Sequence, residues 1–190
     1  MTSKVVLLRP KRYGDDRGWF TEVYNEKAFA GYGIGDRFVQ DNHSLSVPVG
    51  TLRGLHFQTP PFEQAKLVRC IRGRIFDVAV DIRRNSPTFG RWVGAELSAE
   101  NGRQLYVPVG FAHGFVTLEP FTEVTYKVSN PYSPQNDGGI LWSDPTIGVE
   151  WPLPQGVDPI LSSKDGQQPL LSAFNSPFDY DGIPLEEVEG

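Results

Sequence analysis

Lys66-Leu-Val-Arg-Cys-Ile-Arg-Gly-Arg-Ile-Phe-Asp-Val-Ala-Val-Asp-Ile82 is the stretch that decides the fold class. Two runs rich in β-branched and apolar residues flank Arg72-Gly73-Arg74, the pattern of two strands joined by a tight turn. In the second run Phe76, Val78 and Val80 share one face while Asp77 and Asp81 share the other, the period of two that a pleated strand imposes. The stretch therefore predicts a hairpin whose second strand covers a core with one side. Further strands are expected at Gln104–Val107, 114–118 and 123–128, bounded by Pro108-Val-Gly110 and Glu119-Pro120. The middle of the chain then reads as a β meander. Gly, Pro and Asn clusters recur about every ten residues without a repeat or a low-complexity tract, as in a sandwich or barrel. Helical patterning is confined to 25–30 and 169–174, both short. From about residue 132 onward Pro, Gly, Asp and Ser dominate, and an irregular tail wrapped on the barrel is expected.

The 190 residues are enough for one sizeable core, so a single domain over 1–190 is expected. With 39% hydrophobic and 22% charged residues the composition is that of a globular protein, and 20 Gly with 16 Pro suit a turn-rich β fold. The net charge of -5 comes with no basic block, which argues against a nucleic-acid partner while leaving single arginines free to hold a small phosphate. The apolar run at 5–8 is far too short for a signal-peptide core or a membrane span, so a cytoplasmic protein with no membrane partner is expected. Cys70 is the lone cysteine and cannot form an internal disulfide. Its strand-like surroundings predict a buried, inert thiol.

Gly50-Thr-Leu-Arg-Gly-Leu-His56-Phe-Gln58, Gln64-Ala-Lys66-Leu-Val68 and Gly73 together resemble the first cupin motif, in which two histidines and a glutamate bind a metal. Pro108-Val-Gly110-Phe-Ala-His113 resembles the second. Here the second histidine position is Gln58. Counting back from Gly73 puts Lys66 at the glutamate position, whereas counting forward from Gln58 puts Glu63 there. Two histidines with Gln and Lys make a poor site for a divalent transition metal, which prefers three or four His, Cys or carboxylate ligands. No metal is expected.

The resemblance becomes specific with Gly14-Asp-Asp-Arg17-Gly-Trp-Phe-Thr-Glu22, Gln40-Asp-Asn42, Arg53-Gly-Leu-His56, Gln64-Ala-Lys66, Pro87-Thr-Phe-Gly90, Gly110-Phe-Ala-His113-Gly-Phe115 and Ser163-Lys-Asp165. These pieces, in this order over about residues 10–171, resemble the dTDP-4-dehydrorhamnose 3,5-epimerase family. The resemblance implies an all-β cupin jelly-roll barrel with short peripheral helices and an irregular C-terminal tail. It also implies a homodimer and no cofactor. The implied reaction is epimerisation at C3 and C5 of a dTDP-4-keto-6-deoxyhexose, converting dTDP-4-dehydro-6-deoxy-D-glucose to dTDP-4-dehydro-L-rhamnose through an enolate.

That chemistry needs a base with a near-neutral pKa and a positive charge or donor at the carbonyl oxygen that becomes the enolate. His56 and Lys66 suit those two needs. The family pattern implies that Asp165 orients His56 and that Tyr126 is the acid on the opposite face of the sugar. Tyr126 shares its parity with Val124 and Val128, which points the phenol into the barrel. The resemblance further implies that Arg17, Glu22, Gln40, Asn42, Arg53, His113, Asp137 and Lys164 surround the substrate. Arg17 and Arg53 suit the diphosphate, since a guanidinium fork matches phosphate oxygens. Asp137 stands where the family often carries glutamate. An epimerase acting only at C3 or only at C5 uses the same residues and stays open, as do, more distantly, a sugar 3,4-ketoisomerase and a sugar-nucleotide-binding cupin without turnover.

Overall fold

The computed structural model describes residues 3–153 and 155–188. β1 (Val6–Leu8), β2 (Arg12–Asp15) and β3 (Gly18–Thr21) precede the one α-helix among the described residues, α1 (Glu26–Ala30). β4 (Gln40–Ser46), β5 (Leu52–Gln58), β6 (Lys66–Arg72), β7 (Arg74–Asp81) and β8 (Trp92–Ser98) follow. β9 (Gln104–Val107), β10 (Phe111–Thr117), β11 (Thr122–Val128) and β12 (Asp137–Gly139) complete the strands. Two five-stranded antiparallel sheets result, with strand orders β1-β9-β6-β11-β4 and β12-β5-β10-β7-β8, and β2 pairs with β3 in a separate ribbon. Face to face, the sheets make the jelly-roll expected from the sequence. No helix among the described residues is long and apolar enough to cross a membrane.

Both the hairpin and the meander are corrected. β6 pairs with β9 and β11, whereas β7 pairs with β10 and β8, so the chain crosses from one sheet to the other at Gly73. Gly73 has φ +73, and a Cβ there would lie 2.5 Å from Thr122 Oγ1, so glycine is required at this corner. β9, β10 and β11 likewise alternate between the sheets.

The two-faced reading of β7 is corrected as well. Ile75 and Ala79 belong to the core between the sheets, with Val68, Leu97, Leu105, Phe115 and Val124. Val78 and Val80 belong to a second core that the C-terminal segment closes through Ile140, Ile147, Leu171 and Phe178. The strand thus has no solvent face, and Asp77 and Asp81 are both fully buried. Buried carboxylates need partners. Asp81 accepts from Arg83, Ser86 and Thr88, and Arg83 also donates to Asp181 in the tail at 2.9 Å. Asp77 faces the site described below.

α1 starts at Asn25, whose side chain accepts from Ala28 N at 3.2 Å in the usual N-cap manner. The helical pattern at 169–174 yields only a 3-10 turn, Leu171–Ala173. Cys70 is buried, and burial pushes its thiol up to about 11, well out of the reactive range.

Candidate active site

The site lies where β5 and β10 of one sheet face β4, β6 and β11 of the other. Two adjoining clefts of about 250 Å³ each open there, and His56, Lys66, Tyr126 and Lys164 line both. One cleft adds Gln40, Asn42, Gln58, Tyr132 and Asp137, and the other adds Arg53, His113, Phe115 and Asp165.

His56 and His113 are register partners on β5 and β10. Each imidazole meets a carboxylate. His56 Nε2 bonds Asp165, which begins a 3-10 turn in the C-terminal segment, 109 positions along the chain. Ser162 Oγ donates to the other Asp165 oxygen at 2.8 Å. Burial of Asp165 works to raise its pKa, but the hydrogen bond and charge of His56, with Ser162 and Lys164, outweigh it and leave the carboxyl below its ordinary value. An ionised carboxylate only accepts, so His56 Nε2 carries the proton and Nδ1 keeps a lone pair for a substrate. Asp165 caps no helix with its side chain; its carboxylate is engaged by His56 and Ser162.

His113 is buried, and its Nε2 lies 2.8 Å from Asp77 Oδ1. Burial lowers the His113 pKa, with Asp77 opposing, and the ring is neutral at pH 7. No motif marks Asp77 as a site residue. Its shared parity with Ile75 and Ala79, both apolar, was the available signal that it faces inward.

Lys66 is buried at the start of β6 on the inward face of Val68, and its Nζ reaches His56 O at 3.4 Å. Burial brings its pKa down to about 8 against the pull of Asp77 and Asp137. Tyr126 on β11 points between the sheets and packs against their shared core, as its parity predicts. Burial raises the phenol, with Arg53 opposing, so it stays protonated and able to donate.

The remaining side chains form a rim. Lys164 pairs with Asp137, which also accepts from Tyr132 Oη at 3.0 Å. Gln40 Nε2 donates to Asn42 Oδ1 at 2.8 Å, and Arg53 Nε lies 3.4 Å from Ser46 Oγ. Arg17 and Glu22 stay outside the clefts of their own chain. Arg17 sits in the β2–β3 turn, where its side chain is 89% exposed and paired with Asp15.

The donor set does not suit a metal. The Gln58 amide donates to Phe62 O and Pro131 O and accepts from Ser133 N, so it is fully engaged by backbone. Lys66 brings a cation into the same space. Among the described residues no three His, Cys, Asp or Glu side chains are grouped to hold a metal ion.

The family model for dTDP-4-dehydrorhamnose 3,5-epimerase matches residues 2–173. The curated dTDP-4-dehydrorhamnose 3,5-epimerase of Sinorhizobium fredii is 54% identical over 178 residues, 94% of this chain and 90% of that protein. A crystal structure of the Bacillus anthracis enzyme with TDP and PPi bound superposes with a TM-score of 0.83 at 53% identity, covering 86% of this chain and 92% of the other. The Legionella pneumophila epimerase in complex with dTDP-4-keto-L-rhamnose gives 0.87 at 45% identity, covering 93% of each chain.

Proposed function

The chain belongs to the dTDP-4-dehydrorhamnose 3,5-epimerase family, and from that premise we propose that its two adjoining clefts carry out the reaction with His56 as base, Lys66 as enolate holder and Tyr126 as acid. The protein epimerises dTDP-4-dehydro-6-deoxy-D-glucose at C3 and C5, giving dTDP-4-dehydro-L-rhamnose. The C4 ketone acidifies the neighbouring C3–H and C5–H bonds. His56 Nδ1 removes one of these protons, and the electron pair moves onto the C4 oxygen. The Lys66 ammonium, itself buried, stabilises that oxyanion. Tyr126 then returns a proton to the opposite face of the same carbon, inverting it. Exchange with solvent takes the proton from His56 and reprotonates Tyr126. Asp165 holds the imidazole in the tautomer the base needs and balances the imidazolium that forms.

The observation that carries this reading is that His56, Lys66 and Tyr126 line both clefts, with His56 fixed by a buried carboxylate. Donor chemistry supports a reaction without metal. Arg53 and Lys164 serve the diphosphate, and His113, held from behind by Asp77, lines the sugar side. Arg17 and Glu22 act across a homodimer, each reaching the cleft of the second copy. Arg17 turns the β2–β3 ribbon and Glu22 directly follows it, and that ribbon leaves Trp19 59% and Phe20 70% exposed, which supports this. His56→Asn is expected to lower turnover by about 10²-fold or more with the fold intact. Circular dichroism and a turnover assay check it, and a folded variant with near-normal turnover contradicts the assignment.

A further inference from the structure

β4 presents a polar row to the cleft. Gln40, Asn42, Ser44 and Ser46 alternate along it with the exposed Asp41, His43 and Leu45. Three of the four inward side chains have partners within the chain: Gln40 bonds Asn42, and Ser46 Oγ accepts from Arg53. The fourth has none, because Ser44 Oγ is buried without a hydrogen-bond partner. Three other buried side-chain atoms among the described residues share that condition, on Glu63, Arg74 and Asp77, and only Ser44 belongs to a residue lining a catalytic cleft.

A buried hydroxyl without a partner is unfavourable, and native chains keep few of them. Rotation about a single side-chain bond re-aims this one, and its O–H is free to donate. Its surroundings select the acceptor. Ser44 stands between Asn42, opposite Tyr126, and Ser46, which holds the Arg53 guanidinium. Arg53, Lys66 and Lys164 bring three cations into the same cleft against the one carboxylate of Asp165, which favours an anionic oxygen there.

We propose that Ser44 is a substrate-binding residue whose hydroxyl donates to a phosphate oxygen at the sugar end of the bound nucleoside diphosphate. This rests on the reading of the cleft as the epimerase site. The bond forms equally in the ground and transition states, so its loss raises KM and leaves kcat nearly unchanged. It also leaves the free protein no less stable, since the deleted hydroxyl has no partner to lose.

The test is titration calorimetry of dTDP against wild type, Ser44→Ala and Arg53→Ala, with thermal melts of each free protein. For Ser44→Ala we expect the dTDP Kd to rise about tenfold or more, as for one bond to a charged group. The Tm of the free variant should equal or exceed that of wild type. A Ser44→Ala protein that binds dTDP like wild type overturns the proposal if Arg53→Ala binds weakly. If Arg53→Ala also binds dTDP like wild type, the reading of the cleft itself fails. A lowered Tm with unchanged dTDP affinity makes Ser44 a structural hydroxyl and also overturns the proposal.

Discussion

Burial brings the Lys66 ammonium down to about 8, and the nearby Asp77 and Asp137 keep it from falling further. Below that pH the side chain is a cation able to hold an oxyanion, and above it the charge is lost. The alkaline limb of kcat/KM is therefore expected to fall with a midpoint of about 8 instead of above 10, where an exposed lysine titrates. A pH profile that stays flat to pH 10 contradicts the role. Single residues were legible in the sequence to different degrees. His56, Lys66 and His113 sit in motifs, and strand parity orients Tyr126. Asp165 became assignable only by resemblance, because nothing local links it to a ring 109 positions away. The burial of Asp77 was not legible, since alternation separates two faces of a strand without saying what covers each. Arg17 and Glu22 were grouped with the site by resemblance, and their own chain keeps them apart from it.

The bounds of β9 and β11 were legible to within a residue, because turn residues and apolar alternation are local signals. Pairing was not legible. A short turn between two alternating runs looks the same whether the chain folds back in its own sheet or crosses to the opposite one. The outcome at Gly73 depends on Thr122, about fifty residues away, against which only a glycine fits. A second glycine sets the site directly. Gly54 on β5 has φ +143, and a Cβ there would lie 2.6 Å from Gly114 Cα on β10, the two strands that carry His56 and His113. Gly54→Ala adds both backbone strain and a backbone clash, and is expected to cost about 3 kcal/mol or more. For a chain of this length that lowers Tm by about 6–12 °C. A thermal melt at the wild-type value contradicts the close approach of the two strands.

At the scale of the whole molecule, the jelly-roll puts the proposed base and acid on opposite walls. His56 belongs to the sheet containing β5 and β10, and Tyr126 to the sheet containing β6 and β11. Both line the same clefts, so a sugar ring held between them meets one group on each face. The jelly-roll class followed from the spacing of turns and from the resemblance. The two-walled arrangement did not, since it depends on every crossing between the sheets. The central claim is that protons leave toward His56 and return from Tyr126, and Tyr126→Phe separates the two steps. Removing the phenol hydroxyl leaves the base and Lys66 in place, so deprotonation continues while return comes mostly from His56 on the original face. The measurement is proton NMR of the 4-keto sugar nucleotide with the enzyme in deuterated water, following C3 and C5 separately. The predicted result is deuterium exchange that outpaces inversion far more in Tyr126→Phe than in wild type. A variant that inverts at the wild-type rate, or one in which exchange and inversion fall together, contradicts the account.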